Sequence, residues 1–191
     1  MKINWLPLSS IPKNGMEKTI DDQNFWLSSM VEFSIDCKII DPIVAKMNIL
    51  PDQDGVLFKG RITGKVALPC NLCMEDALVE LNHRFTSFEP LPEDPYGPKR
   101  DSTEVPIDAL GVDEAVVRVV QHGRGFEINP SALAWEEFSL ALPVKPVCAK
   151  SCKGLCPVCG HNQNNGSCQC EKKALDPRLE ALQGLVVKKK S

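Results

Sequence analysis

The chain of 191 residues lacks any apolar run close to the ~20 residues that a membrane-spanning helix requires. Its first fifteen residues also lack the basic stretch followed by an apolar stretch that marks a secretory signal. We therefore expect a cytoplasmic protein without a membrane partner. Cysteines in that compartment are more often metal ligands or redox groups than members of structural disulfides.

The usual signatures of enzymes are also missing from the sequence. The three histidines, His83, His122 and His161, lie far apart, and none belongs to a metalloprotease or deaminase pattern. No phosphate-binding glycine loop and no G-x-S-x-G elbow occurs. We therefore predict a protein that is not an enzyme, with no catalytic residues, no small-molecule substrate and no cofactor other than a metal ion.

The net charge is unevenly distributed: most of the chain is acidic and its end is basic. From Cys148 onward, eight Lys and Arg stand against three Asp and Glu, which gives +5 and leaves −8 for residues 1–147 of a chain with net charge −3. A basic tail permits contact with RNA, although a solvated C-terminus explains the same charges. The candidate RNA or partner contacts are Lys150, Lys153, Lys172, Lys173 and Arg178. No aromatic residues are interleaved with them, so a platform for base stacking is not evident.

Alternating apolar and polar residues predict several strands. One such run is 31–39, and further strand sequence covers 56–68, 79–85 and 116–120. Residues 89–106 contain five prolines and five acidic residues, which predicts an acidic, proline-rich, exposed loop.

Two helix starts follow the strands. Asn129-Pro130 predicts the first, because asparagine caps a helix and proline suits its first position, and Asp176-Pro177 predicts a short second helix. We therefore predict an α+β fold, with a β-rich antiparallel body, a few short helices and a C-terminal zinc-binding segment. The expected division is a body over residues 1–147 and a cysteine-rich metal-binding segment with a basic helix and tail over residues 148–191.

Six of the nine cysteines fall within residues 148–170, a density that indicates a metal site. Zinc prefers a closed tetrahedron of thiolates, and a C-x-x-C loop offers two sulfurs to one ion. The favoured ligand set is Cys156, Cys159, Cys168 and Cys170. Cys148 and Cys152 could replace one half of that set, or all six could share two zinc ions. Four thiolates suit iron as well as zinc, and such a site is structural because no coordination position stays open for water.

The remaining cysteines are less easily interpreted. Cys70 and Cys73 form a C-x-x-C pair with three open interpretations: reduced structural thiols at a hairpin turn, ligands that meet the C-terminal cysteines in space, or a redox dithiol. A redox thiol usually lies beside a cation or a helix N-terminus, and the neighbouring residues supply no cation. Cys37 falls on the inward-facing side of the predicted strand 31–39, which favours a core residue. His161, beside the Cys156–Cys159 loop, is interpreted as solvent-facing rather than as a ligand.

Several motifs, taken in order, resemble those of one family. They are a cysteine pair at a strand end, an acidic proline-rich loop, Leu140-Ala-Leu-Pro143, Cys152-Lys-Gly-Leu-Cys156-Pro-Val-Cys159-Gly160, Cys168-Gln-Cys170 and Asp176-Pro-Arg-Leu179. This arrangement resembles the bacterial large ribosomal RNA subunit accumulation proteins, the YceD-like family. The resemblance covers roughly residues 25–187 and is most specific from Leu140 to Leu185. It implies a role in the synthesis, processing or stability of large-subunit (23S) ribosomal RNA, without known catalytic chemistry.

The sequence departs from the family pattern in two places. The family's usual C-x-R-C-L-E reads Cys70-Asn-Leu-Cys73-Met-Glu75, so no basic residue stands at position 72 and no role of one carries over. The family's N-L-N reads Asn162-Gln163-Asn164. Some relatives lack most of the C-terminal cysteines, which implies that the metal stabilises the tail and is not the shared activity.

These observations together lead to one expected function and two alternatives. We expect a non-enzymatic ribosome biogenesis factor with structural zinc, whose partner is ribosomal RNA, a large-subunit ribosomal protein or an assembly factor. A redox-sensitive zinc-thiolate chaperone is one alternative, because zinc thiolates oxidise readily. The other alternative is a zinc-stabilised protein-interaction adaptor without RNA contact.

Overall fold

The structure, a computed structural model, describes residues 5–91, 116–119 and 125–170. The elements in chain order are β1 (Leu6–Pro7), a 3-10 turn (Leu8–Ser10), β2 (Met16–Ile20), α1 (Gln23–Glu32), β3 (Lys38–Pro51), β4 (Gly55–Pro69), β5 (Asp76–Pro90), β6 (Val117–Val119), β7 (Phe126–Ile128) and α2 (Pro130–Ala141). Three long strands and two short helices confirm the predicted α+β fold with a β-rich body. Neither helix in this part of the chain is long and apolar enough to cross a membrane.

Four antiparallel strands, in the order β2-β3-β4-β5, form the larger sheet. β4 pairs with β5 along its whole length, from Gly55 opposite Pro90 to Pro69 opposite Asp76. The turn that joins these two strands contains Cys70 and Cys73, so the C-x-x-C pair lies at a hairpin turn, as one of its three interpretations required. The hairpin therefore carries its cysteine pair to one end of the sheet.

One face of this sheet is buried and the other is exposed, as the period-2 pattern of its strands requires. Met47 and Ile49 of β3 and Phe58 of β4 lie in the core, whereas alternate residues such as Lys46 and Lys59 are exposed. The two helices contribute Trp26 and Phe138 to the same core, and the ring centroids of this buried pair lie 5.4 Å apart. Both helices thus leave the opposite face of the sheet exposed in the described residues.

A smaller three-stranded sheet, in the order β1-β7-β6, leads into α2. Asn129 follows β7 and caps α2, because its side-chain oxygen accepts hydrogen bonds from the backbone N–H groups of Ser131 and Ala132, each at 3.2 Å. The helix predicted from Asn129-Pro130 is confirmed. A hydrogen bond of 2.9 Å between His83 Nε2 and Glu137 Oε2 connects β5 to this helix.

The pairing of β3 with β4 shifts register twice between Ile39 and Val44. Proline at position 42 cannot donate to the ladder, which explains why the interruption falls there. Beyond the last β2–β3 pair, Ile20–Ala45, the Gln23 side chain bonds the backbone of Ile43: its Nε2 donates to the carbonyl at 2.9 Å, and its Oε1 accepts from the N–H at 3.0 Å. A residue of α1 thus takes the place of a strand neighbour.

The predicted strand over 31–39 is wrong for residues 31–37. Asp22 caps α1, with its Oδ1 accepting from the Asn24 N–H at 2.9 Å, and the buried residues Trp26 and Met30 lie one turn apart on that helix. Val31 and Glu32 therefore end a helix, and the strand begins only at Lys38. Helix-face packing outweighs the local alternation of residue types.

Other predictions meet the limits of the described residues. β6 agrees with the strand predicted over 116–120. Glu89 and Pro90, the start of the predicted acidic loop, end β5, and most of that loop lies outside the described residues. The helix predicted from Asp176 lies outside them as well. The division between residues 1–147 and 148–191 stays a prediction.

Candidate metal centres

The turn between β4 and β5 folds back on itself around Cys70. The Cys70 N–H donates to the Glu75 carbonyl at 2.8 Å, and the Met74 N–H donates to the Cys70 carbonyl at 2.9 Å. Met74 has a φ of +64°, in the left-handed region that favours glycine. These bonds bring the Cys70 and Cys73 thiols to the same side of one tight loop.

The C-x-x-C loop at Cys156 repeats this geometry. The Cys156 N–H donates to the His161 carbonyl at 2.8 Å, and the Gly160 N–H donates to the Cys156 carbonyl at 2.9 Å. Gly160, with a φ of +72°, occupies the position equivalent to Met74. We call each of these loops a knuckle. The chain thus contains two knuckles with the same spacing of backbone hydrogen bonds.

The first knuckle is completed by two cysteines from the segment after α2. Cys152 Sγ lies 3.9 Å from Cys70 Sγ, and Cys148 Sγ lies 3.5 Å from Cys73 Sγ. We call Cys70, Cys73, Cys148 and Cys152 the hairpin cluster; all four sulfurs lie within 4.8 Å of one another. Cys70 and Cys73 are buried, whereas Cys148 and Cys152 are more accessible.

The second knuckle has its own pair of cysteines. We call Cys156, Cys159, Cys168 and Cys170 the C-terminal cluster; their sulfurs also lie within 4.8 Å of one another. Its second pair comes from the C-x-C sequence at Cys168. The structure therefore separates the eight clustered cysteines into two sets of four, each with one C-x-x-C pair.

Both sets meet the geometric requirement of a tetrahedral thiolate site. Sulfurs bound to one zinc ion at about 2.3 Å lie about 3.8 Å from one another. The two measured separations in the hairpin cluster, 3.5 and 3.9 Å, are close to that value. Four sulfur donors without a histidine or carboxylate indicate zinc or iron rather than magnesium or calcium.

The local charge of the hairpin cluster requires a cation when all four thiols ionise. Burial opposes ionisation of Cys70, but the backbone N–H groups of Cys148, Leu72 and Cys73 together lower the pKa of that thiol to about 6. The neighbouring Cys73 and Cys152 sulfurs raise the pKa of Cys148 to about 12. At neutral pH, Cys148 therefore keeps its proton unless a positive ion replaces it.

The C-terminal cluster has the same distribution of charge. The backbone N–H groups of Cys159 and Val158 lower the pKa of Cys156 to about 6. The Cys159 sulfur, followed by burial, raises the pKa of Cys170 to about 12. Each knuckle thus stabilises one thiolate, and each cluster keeps one thiol that a metal ion would deprotonate.

The two clusters are joined by Asn164. Its Nδ2 donates to Cys152 Sγ at 3.3 Å, and its Oδ1 accepts from the Lys153 N–H at 2.8 Å. Asn164 belongs to the loop between the two halves of the C-terminal cluster, yet its amide contacts a sulfur of the hairpin cluster. Such contacts orient ligands in metal sites.

The structure places the remaining candidate residues as follows. Lys150 and Lys153 are exposed beside the clusters, and Lys172, Lys173 and Arg178 lie outside the described residues. His161 is exposed and belongs to neither cluster. Cys37 is half-buried and packs against the main core, just before β3 rather than within it.

Of the three interpretations of Cys70 and Cys73, the second predicted the observed meeting with C-terminal cysteines. The favoured set of Cys156, Cys159, Cys168 and Cys170 lies together as one cluster. Cys148 and Cys152 complete the hairpin cluster and do not replace half of the favoured set, a pairing that the sequence alone left open. The number of cysteines could have indicated the arrangement. The six C-terminal cysteines together with Cys70 and Cys73 make eight, which is enough for two sites with four ligands each.

Comparison with known proteins gives one match. The family model described as the large ribosomal RNA subunit accumulation protein YceD matches residues 58–186. That range contains both knuckles and all eight cysteines of the two clusters. No curated protein and no solved structure matches the chain.

Proposed function

Because the chain belongs to the YceD family of large ribosomal RNA subunit accumulation proteins, we propose that it acts without catalysis in large-subunit rRNA synthesis, processing or stability. The family match over residues 58–186 is the observation that carries this proposal. Its partner is ribosomal RNA, or a ribosomal protein or assembly factor of the large subunit.

Structural zinc in the C-terminal cluster forms part of the proposal. Cys156, Cys159, Cys168 and Cys170 would hold the ion, which supplies cross-links between short loops and no reactive position. The cluster is needed because few residues of this segment are buried: Gly154 and Cys156 are buried, whereas most of residues 143–170 are exposed. A segment with so little core depends on metal for a fixed structure.

Exposed lysines beside the clusters support contact with RNA. Lys150 and Lys153 lie in the segment that the two clusters fix, so their charges have a defined position. Lysines bind phosphates without reading the base sequence, and such binding weakens as salt concentration rises. The proposal therefore includes a salt-sensitive, sequence-independent component of RNA binding.

Depletion of the protein tests the proposed function. We expect the ratio of large-subunit to small-subunit ribosomal RNA to fall and to recover when the wild-type chain is restored. Crosslinking in cells should recover precursor large-subunit RNA with the protein. An unchanged ratio after complete depletion would contradict the proposal, whichever surface binds the partner.

The contact residues are tested separately with purified protein. Lys153→Glu should weaken binding to large-subunit RNA and lower the slope of log affinity against log salt. Lys13→Glu is the matched control, because Lys13 is also exposed and precedes β2, whose Met16 pairs with Ile49 at the end of β3 far from the clusters. Equal effects of the two substitutions would leave no specific role for Lys153.

A further inference from the structure

The hairpin cluster has no role in the function proposed above, although its donor set is complete. We propose that Cys70, Cys73, Cys148 and Cys152 form a second structural zinc site, which binds the C-terminal segment to the body. Two ligands come from the β4–β5 turn and two from the segment after α2. The protein would then hold two zinc ions per chain.

The knuckle geometry supports this inference independently of the sulfur positions. Both C-x-x-C loops have the same two backbone hydrogen bonds. In both, the residue after the second cysteine has a left-handed backbone conformation. In the hairpin turn that residue is Met74, which is 66% exposed and gains little from packing. A non-glycine residue in this conformation is strained, and such strain persists where surrounding structure fixes the backbone.

Packing alone does not explain why the C-terminal segment lies against the hairpin. The buried residues there, Cys70, Cys73 and Ala77, form a cluster separate from the main core, and Cys152 packs against it. Few polar contacts cross this junction in the described residues. The Asn71 N–H donates to the Pro146 carbonyl at 2.8 Å, and the Leu155 N–H donates to the Leu72 carbonyl at 2.9 Å. One longer side-chain bond, from Asn162 Nδ2 to Glu75 Oε1, spans 3.4 Å. A metal ion bound from both sides supplies the missing attachment.

Metal analysis of the purified chain tests this site directly. We expect two zinc ions per chain in the wild type and one in Cys70→Ser/Cys73→Ser. Cys37→Ser is the matched control and should keep two, because Cys37 belongs to neither cluster. Cys159→Ser/Cys168→Ser should keep one ion, held by the hairpin cluster. A wild type with one zinc that Cys70→Ser/Cys73→Ser retains would overturn the proposal.

A measurement on the unaltered protein covers the case in which the double variant fails to fold. Alkylation followed by peptide mapping should leave Cys70, Cys73, Cys148 and Cys152 unmodified until a chelator is added. Cobalt substitution should give the absorption of tetrahedral cobalt with sulfur ligands at two sites per chain. Alkylation of the four thiols in zinc-loaded protein, or a metal-free disulfide between Cys70 and Cys73, would overturn the proposal.

A different observation concerns the exposed face of the four-stranded sheet. Lys46, Arg61 and Arg84 stand directly opposite one another on β3, β4 and β5, and we call them the basic row. All three are exposed, and Lys59 lies in the adjacent row on the same face. This positive charge lies within residues 1–147, whose net charge is −8.

The basic row is unfavourable for the isolated sheet, because like charges directly opposite each other destabilise an antiparallel pair. The two ion pairs that the described residues make among themselves, Lys38–Asp76 and His83–Glu137, leave all three cations out. Arg61 is held by a side-chain hydrogen bond of 2.8 Å from its Nε to Asn82 Oδ1. The arrangement costs stability in the free protein and suits an anionic partner.

We infer that the basic row binds the phosphate backbone of RNA, an inference that rests on the function proposed above. Cross-strand neighbours stand about 5 Å apart, so adjacent side chains can reach successive phosphates of one strand. Phe88, on the same exposed face at the end of β5, is 48% exposed and provides an aromatic surface on which a base can stack. The sheet then supplies the aromatic residue that the basic C-terminal sequence lacks.

Salt-dependent binding to a large-subunit RNA transcript tests the basic row. Lys46→Gln/Arg84→Gln should lower the slope of log affinity against log salt by about two. Lys65→Gln is the control, since Lys65 is on the same face but stands between Asp41 and Glu80. If the wild type binds RNA but the double variant changes the slope no more than Lys65→Gln does, the assignment of the basic row is overturned. That result would leave the proposed function untouched.

Other outcomes separate this inference from the proposed function. If the wild type does not bind RNA even at low salt, direct recognition of RNA fails and the basic row fails with it. The effect of depletion on the ratio of ribosomal RNAs remains an independent measure of function. Binding of an acidic protein, rather than RNA, that depends on Lys46 and Arg84 would likewise overturn the assignment to RNA.

Discussion

Met74 and Gly160 occupy equivalent positions in the two knuckles, with φ values of +64° and +72°. Glycine adopts this conformation freely, whereas a residue with a Cβ atom pays about 1–2 kcal/mol for it. The turn at Gly160 was therefore predictable from its residue type. The turn at Met74 was not, and its equivalence became evident only from the backbone hydrogen bonds.

Gly154 provides a test of the contact between the two parts of the chain. Its φ is +74°, and a Cβ atom there would lie 3.0 Å from the Leu72 carbonyl oxygen. Alanine should destabilise the segment by about 1–2 kcal/mol through the backbone, and further by displacing Leu72. Zinc retention against a competing chelator is the measurement.

Gly160→Ala is the matched control for that prediction. Gly160 has a similar φ of +72° but no atom within 4 Å of the added Cβ. The control should show the backbone cost alone, so Gly154→Ala should release zinc more readily. Equal losses in the two variants would show that the approach to Leu72 has no energetic effect.

Cys37 provides a prediction about pH. Burial, followed by the negative charge of Asp36, raises the pKa of this thiol from 9.0 to about 11. Its thiolate fraction at pH 8 should therefore be about a hundredfold lower than that of an ordinary cysteine, with alkylation slowed in proportion. Mass spectrometry of native and urea-unfolded protein measures the ratio.

The same shift predicts a loss of stability at high pH. The pKa of Cys37 is higher in the folded than in the unfolded protein. Its contribution to the free energy of unfolding is therefore fully present below pH 9 and is lost as pH rises towards 11. Cys37→Ala should flatten the decline of the unfolding free energy over that interval. A decline that is unchanged by the substitution would contradict this assignment.

At the scale of elements, the features that were predictable have strong local signals. Asn129-Pro130 starts α2, and the alternation in β4 and β5 matches their pairing across the whole hairpin. Helix α1 was not predicted, because apolar and polar residues alternate from its last turn onward and that alternation indicated a strand. Its capping residue, Asp22, and its buried face were therefore overlooked. Local pattern identifies an element reliably only where no competing pattern overlaps it.

The interruption of β3 gives a prediction at the same scale. Gln23→Ala should lower the unfolding free energy by about 1–3 kcal/mol, because the Ile43 N–H and carbonyl both lose their partner. Asn24→Ala, one residue further along α1 and exposed, should change it by much less. Urea denaturation of the two variants compares the costs. Similar values would mean that water replaces both bonds.

At the scale of the whole molecule, the body and the cysteine clusters depend on different interactions. The main core includes Trp26, Phe58 and Phe138 and excludes every clustered cysteine, whereas the hairpin cluster surrounds a small core of its own. The six C-terminal cysteines were enough to predict a metal-binding segment. The sequence did not decide whether Cys70 and Cys73 join the C-terminal cysteines. That depends on which end of the four-stranded sheet the segment after α2 packs against.

Chelation should therefore disorder the C-terminal segment and leave the body folded. Hydrogen exchange should accelerate at the amides of Asn71 and Leu155, which bond across the junction, because we expect those bonds to open when the metal is removed. Amides in β4, such as those of Phe58 and Ile62, should keep their protection. Loss of protection throughout the sheet would show that the body also requires the metal.

The hairpin cluster joins parts of the chain that are far apart in sequence. Cys73 and Cys148 are 75 residues apart, and Cys70 and Cys152 are 82 apart. Closing a loop of that size restricts the unfolded chain by about 4–5 kcal/mol in the chain-entropy model. During synthesis, moreover, the first two ligands precede the last two by the whole of α2. Cys152, the last of the four ligands, is therefore synthesised only after the whole body. Zinc binding at the hairpin cluster would then occur only once synthesis of the body is complete.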